Sequence, residues 1–389
     1  MPDAAIRIPR STCRLFGAIK ALSTLKNTCI LVHGPKGCVY HINYILGMRG
    51  DRPREIFSTC LNEHDVIFGA EDRLTRAICE LDQEIHPDLL VVLSCCASGI
   101  IGEDVHAAVR AASVSTQVLA IDSGGFEGDH AEGYRDTLIR IAASLAGSTG
   151  HRDPHAVNLL GVLRAGPDLG EIRRILTSAG IRVSAVLTAG TGMADLGRMG
   201  DAGLNIVLCE TSGLGAAEVL LSRFGTPYIV TDLPIGIPAT DTFLDTIRSA
   251  LSLPCPEKST NPHEPIPPLD PSHHIAVFSG PTRAIALSRF LSGLSNPPRL
   301  IVLDFLPPSL EKVAEAAGPG CVILVEPDSG EIRDALAAEE ITLVLGGMLE
   351  RPVAGMLGIR LIDVMHGSQR TVGYEGARIL AALIAGEKI

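Results

Sequence analysis

A chain of 389 residues with 46% hydrophobic and 20% charged side chains is too long for one ordinary core and fits two or three domains of roughly 100 to 150 residues each. Its formal net charge of −11 argues against nucleic acid as a partner, because phosphate recognition needs a basic surface. No stretch approaches the roughly 18 unbroken apolar residues of a membrane span, and the opening MPDAAIRIPRS lacks the form of a signal peptide.

The chain therefore reads as cytoplasmic with no membrane partner, and its 10 cysteines are expected as reduced core residues and ligands rather than disulfides. Cys13 comes first, in STCRLFGA. The apolar run Thr28–Val32 predicts a buried strand leading into HGPKGCVYH, where Gly34, Pro35 and Gly37 predict a strand-to-helix turn with Cys38 just beyond it. The block FSTCLNEHDVIFGAEDRL follows, and then the predicted strand Asp88–Ser94 opens into SCCASGIIGEDV with Cys95 and Cys96. Further strands are predicted at Gln117–Ile121, Val157–Val162 and Asn205–Leu208, the last followed directly by Cys209. Five more are predicted at Ile275–Ser279, Leu300–Asp304, Cys321–Glu326, Ile341–Leu345 and Arg360–Asp363, with His366 just after the last.

These runs alternate with helix-length amphipathic segments, which is the pattern of parallel sheets covered by helices. The polar seam GSTGHRDPH (Gly147–His155) and the proline-dense stretch Pro254–Pro271 divide the chain. The expected fold is α/β, with three Rossmann-like domains at 1–150, 151–253 and 273–389 and a proline-rich linker at 254–272. No GxxxxGK(S/T) motif is present, so the chain itself has no P-loop for ATP, and GTGMADLG (Gly190–Gly197) has the wrong spacing for a dinucleotide loop.

No close CxxC pair occurs, so a metal site must be assembled from distant segments. Cys13, Cys38 and Cys96 share a context near strand ends or turns, beside small residues. An iron–sulfur cluster needs thiolates at tight turns, where backbone N–H groups stabilise the charge on sulfur. Cys29 and Cys321 read as core, Cys79 as helical, and Cys255 as part of the linker.

The HGPKGC turn, the FSTCLNEHDVIFGAEDRL block and SCCASGIIGEDV, in that order, resemble the component-one proteins of nitrogenase and their relatives. GTPYIVTDLPIGIPATDTFL and GYEGARIL extend the likeness over nearly the full chain. The resemblance implies that Cys13, Cys38 and Cys96 hold an interface iron–sulfur cluster, of 4Fe–4S or P-cluster-like 8Fe–7S type, shared with a homologous β-type subunit in a heterotetramer. Cys95 is expected to pack in the core, and Cys60 stands where relatives carry an acidic residue near that cluster. The resemblance also implies that Cys209 and His366 are catalytic ligands of a nitrogenase-type iron–sulfur cofactor, its heterometal undefined. One soft thiolate and one imidazole can hold the two poles of such a cofactor. Electrons would come from a separate ATP-dependent iron–sulfur reductase, in keeping with the missing P-loop.

Dinitrogen-reducing relatives carry a glutamine and paired histidine in the segment matching SGGFEGDHAEGY, where Gly125, Asp129 and His130 stand here at approximately those positions. Three readings follow. The first is a nitrogenase-like reductase, with methylthio-alkane reductase as the expected group. The second is a cofactor-assembly scaffold, and the third a tetrapyrrole reductase such as the nickel-sirohydrochlorin reductive cyclase. Cys209 and His366 together count against the third, since an apolar macrocycle needs no such ligands.

Overall fold

The computed structural model describes residues 12–48, 56–161, 166–254 and 264–387. The first sheet contains β1 (Thr28–His33), β2 (Ile56–Ser58), β3 (Leu89–Ser94) and β4 (Gln117–Ile121) in the order β2-β1-β3-β4. The second contains β5 (Asp153–Leu160), β6 (Arg182–Leu187), β7 (Ala202–Val207) and β8 (Tyr228–Val230) in the order β6-β5-β7-β8. The third contains β9 (Ile275–Ser279), β10 (Leu300–Leu303), β11 (Val322–Val325), β12 (Leu343–Gly346) and β13 (Arg360–Asp363) in the order β11-β10-β9-β12-β13. Every pairing is parallel. Helices connect and cover the sheets, so the expected α/β architecture of three Rossmann-like sheets is present.

Central strands such as TCILVH and LLVVLS are buried along their whole length, as a parallel sheet covered on both faces requires. One apolar core joins the first and second sheets through Leu15, Ile19, Leu138 and Leu220. Another joins the second and third through Ile172, Leu287 and Leu380. The third sheet is thus packed on the second by continuous apolar contact.

Two details differ from the sequence expectation. β5 begins at Asp153, so the end of the polar seam is strand, with Pro154 at its outer end where a missing N–H is tolerated. In the proline-dense stretch Leu269 is 7% exposed within the core and its N–H donates to the Leu294 carbonyl at 2.9 Å. That part of the expected linker is packed against the third sheet's helices. Residues 255–263, with Cys255, lie outside the described residues, as does Val162.

Helices Arg14–Leu22 and His130–Ser144 touch backbone to backbone. A Cβ at Gly17 would lie 1.9 Å from the His130 carbonyl oxygen, and one at Gly133 would lie 2.0 Å from that of Arg14. Only glycine permits this approach, which brings the cap of the first helix, Cys13, beside the turn before the second.

Candidate functional site

Two strand-to-helix turns of the first sheet and the start of helix Arg14–Leu22 converge on a ring of thiols. Cys13 caps helix Arg14–Leu22 and bridges to Asp129. Cys38 lies in the first turn of helix Lys36–Met48, its N–H donating to the Pro35 carbonyl at 3.2 Å. Cys96 opens helix Cys96–Ile100 and accepts the Gly125 N–H at 3.1 Å. A Cβ at Gly125 would fall 2.9 Å from the Cys96 sulfur and 3.8 Å from that of Cys13, so glycine here leaves the room the two thiols occupy. Cys13 is exposed and Cys38 and Cys96 half-buried, which places the ring at the surface of the chain.

Cys95 is 1% exposed in the core joining the first two sheets, behind Gly34, whose Cβ would sit 2.5 Å from its sulfur. Core packing, expected from sequence, is therefore only part of its environment. The Cys38 thiol is pushed up by its hydrogen bond to Cys95, then by burial and by the negative charge of Cys95, Cys96 and Cys13. Cys95 is pulled down by the same bond to about 6, against its burial, with help from the Ser98 and Ala97 N–H groups. Thiolate sulfur is the ligand type that iron–sulfur clusters take, so the donor types of the ring suit one. Among the described residues no three His, Cys, Asp or Glu side chains form a site for a single metal ion. Cys60 is exposed with φ 53°, its N–H held by Ser58 and its carbonyl by Arg73.

A second site lies in a cavity of about 380 Å³ where the second and third sheets meet, and both Cys209 and His366 line it. Cys209 follows β7, caps helix Glu210–Phe224 and is 3% exposed. Its thiol donates to the Ser212 hydroxyl at 3.4 Å and accepts from the Thr282 hydroxyl at 3.3 Å. His366 lies in the loop after β13, where Asp363 accepts the backbone N–H of His366 at 2.6 Å and of Met365 and Gly367 at 3.1 Å each. Burial pushes the Asp363 carboxyl up, but these N–H groups and the nearby imidazole outweigh it and hold the group below its ordinary value.

The far end of this loop is tied to the second sheet's side. Thr371 donates its N–H and its hydroxyl to Asp168 at 2.7 and 2.8 Å, and Arg283 bridges Asp168 at 3.0 Å and Thr371 at 2.8 Å. All three are buried. Ile235 pairs with Gly373 alongside, and Gly373 donates to the Pro234 carbonyl at 2.7 Å.

The segment SGGFEGDHAEGY divides between the two sites. Gly125 belongs to the thiol ring and Asp129 caps helix His130–Ser144, accepting the Glu132 N–H at 2.9 Å. The side chains of this segment that line the cavity are those of His130, Ala131 and Tyr134. Tyr134, not singled out from sequence, is hydrogen-bonded to Thr188, and burial pushes its phenol up, so it stays neutral. A phenol four residues along the same helix face as His130 was the available signal. His33 and Glu103 were also passed over, although they stand inside the HGPKGC and SCCASGIIGEDV motifs.

The family described as nitrogenase component 1 type oxidoreductase matches residues 13–387. The nitrogenase iron-molybdenum cofactor biosynthesis protein NifE of Clostridium pasteurianum is 28% identical over 95% of this chain and 85% of its own. A light-independent protochlorophyllide reductase chain of Methylobacterium sp. (strain 4-46) is 26% identical over 94% of this chain and 77% of its own. The nitrogenase molybdenum-iron protein beta chain of Methanococcus maripaludis is 23% identical over 97% and 91%. Among solved structures, one described as nitrogenase Cp1 at pH 6.5 superposes with a TM-score of 0.85 at 21% identity, covering 99% of this chain and 94% of that one.

Proposed function

The chain belongs to the nitrogenase component 1 type oxidoreductases, and from that premise we propose that it is the catalytic subunit of a nitrogenase-like reductase. In this reading Cys13, Cys38 and Cys96 hold an iron–sulfur cluster facing a homologous subunit, and Cys209 and His366 hold an iron–sulfur cofactor in the cavity. The observation that carries it is that a thiol and an imidazole from two different sheets line one cavity.

Bound there, such a cofactor supplies low-potential electrons and open iron positions. The chain's own contribution is orientation. Ser212 and Thr282 fix the Cys209 sulfur, while Asp363 and Thr371 anchor the two ends of the His366 loop. Around the thiol ring, Tyr40 (76% exposed), Ile100 (71%) and Phe126 (78%) leave apolar surface in water, which supports a protein partner covering the ring. The second partner in this reading is an ATP-dependent iron–sulfur reductase.

The substrate class we assign is the methylthio-alkanes. Their carbon–sulfur bond breaks as two electrons from the reductase and two protons are taken up, giving a hydrocarbon and a thiol. Support comes from Cys209 and His366 both lining the cavity while the segment SGGFEGDHAEGY holds no glutamine of the kind that dinitrogen reducers carry there. A second reading, a cofactor-assembly scaffold, is favoured by the likeness to proteins named for cofactor biosynthesis.

A working cofactor must be gripped at both ends, whereas a scaffold must release its product. His366→Ala and Cys209→Ala variants, purified without oxygen, separate the two. Loss of the cofactor's paramagnetic signal and of methylthio-alkane reduction in both variants, with the ring's iron retained, is the reductase result, and loss of a ligand should cost at least the 10- to 100-fold typical of outer contacts. Retention of cofactor in His366→Ala alone would overturn the histidine's assignment, and a wild-type protein that binds the cofactor, releases it and reduces no methylthio-alkane would favour the scaffold.

A further inference from the structure

His33 and Glu103 form a buried pair that the ligand set does not use, and its contacts reach the turns carrying two of the ring's thiols. Their side chains are 0% and 4% exposed. His33 ends β1, immediately before the Cys38 turn, and its Nε2 is hydrogen-bonded to Glu103. Its Nδ1 is 3.0 Å from the Thr59 hydroxyl, which accepts the Gly34 N–H at 3.1 Å. The Thr59 hydroxyl, accepting from Gly34, can give its own hydrogen to Nδ1, the arrangement in which Nε2–H donates to the carboxylate.

Glu103 stands at the exit of the Cys96 helix, its N–H donating to the Ser98 carbonyl at 3.1 Å. Its second carboxylate oxygen accepts the N–H of Ala70. Ala70 follows Ile67 and Phe68, each 73% exposed, by only a few residues. One carboxylate thus touches the entry to the Cys38 turn, belongs to the exit of the Cys96 turn, and holds the base of an exposed apolar tip.

A buried carboxylate and imidazole are costly to desolvate, and an apolar pair of similar size would stabilise the fold as well or better. What they add is fixed geometry. We infer that His33 and Glu103 are positioning residues for the thiol ring, setting the Cys38 and Cys96 turns relative to each other. The inference rests on the reading of that ring as an iron–sulfur site.

The test uses the full chain purified anaerobically with its iron, and measures the rate of iron loss to bathophenanthroline together with the low-temperature paramagnetic spectrum. Glu103→Ala should lose iron on the order of 10-fold faster, the usual cost of removing a contact behind a metal ligand, and should shift the spectrum. Glu103→Gln, which keeps an acceptor for Nε2–H, should be milder. Thr59→Val, which removes only a hydroxyl, should act in the same direction and carries the test if Glu103→Ala does not fold. Asp82→Asn is the control, because Asp82 holds Ser115 and Thr116 at the opposite end of the same sheet. It should lower stability and leave iron release unchanged.

Wild-type release rates and spectra in Thr59→Val and both Glu103 variants would overturn the inference, as would equal acceleration in Asp82→Asn. A wild-type chain that takes up no iron would overturn the reading of the ring, and this inference with it.

Discussion

Replacing Arg283 by leucine should be among the most damaging single changes outside the ligand set. Asp168 and Arg283 have side chains 3% and 10% exposed, so the substitution strands a carboxylate in a medium that solvates it poorly. Removing one partner of such a pair costs about 3–5 kcal/mol. Two charge-assisted hydrogen bonds from Thr371 remain to Asp168, which argues for the lower end, about 3 kcal/mol. The double variant Asp168→Leu/Arg283→Leu removes both charges and leaves the Thr371 N–H and hydroxyl to find new partners, at about 1–3 kcal/mol for a lost acceptor. The double variant should therefore be no less stable than Arg283→Leu alone, and a strongly non-additive cycle is expected. Urea unfolding at neutral pH measures the cycle, and hydrogen exchange of the amides in 364–372 reports whether the His366 loop is released. Additive losses, or an undisturbed loop in Arg283→Leu, would refute the argument that this pair anchors it.

Gly17→Ala should exceed the 1–3 kcal/mol typical of overpacking, because the new methyl meets a carbonyl oxygen at 1.9 Å and backbone cannot swing aside; the urea midpoint measures it. Gly125→Ala places a methyl 2.9 Å from the Cys96 sulfur and 3.1 Å from Cys13 Cβ, so iron affinity should fall about 10- to 100-fold, the range for loss of an outer contact, seen as less iron per chain while the circular dichroism spectrum is retained. Thr116 and Ser115 hold the Asp82 carboxyl below its ordinary 3.8, so its stabilising effect is present above that value and lost as the pH falls through the depressed one. Asp82→Asn should accordingly lower the melting temperature near neutral pH, and the difference from wild type should shrink in acid.

The strands legible in the sequence were the central ones and the edges β4, β11 and β13. β2, β6 and β8 were missed, and all three are sheet edges. β2 and β8 have three residues each and no fully buried position, while β6 begins with exposed and half-buried residues. An edge strand buried on one side need not be apolar throughout, so composition does not announce it. Cys38 could be singled out because Gly34, Pro35 and Gly37 mark its turn, and Cys13 and Cys96 because they stand near strand ends or turns beside small residues, and the structure gathers them with Cys95. The buried charges were not legible. Asp168, Arg283, Glu103 and His33 are polar residues at ordinary positions, and only long-range packing removes them from water. Tyr134 was hidden for the opposite reason, since an aromatic residue on a helix reads first as core.

The contact between Gly17 and the turn before Gly133 has a consequence for distance. Helix Arg14–Leu22 carries Cys13 at one end and runs along the cavity of Cys209 and His366, with Thr12 before it and Lys20, Ser23 and Thr24 at its far end all on the cavity wall. Nine residues at about 1.5 Å rise each make a rod of about 13 Å. Held against its neighbour at Gly17 and Gly133, that rod forms one wall of the cavity and fixes it relative to the thiol ring. Under the proposed function electrons pass from the ring to the cavity, and a backbone contact that a side chain cannot enter fixes the spacing they would cross.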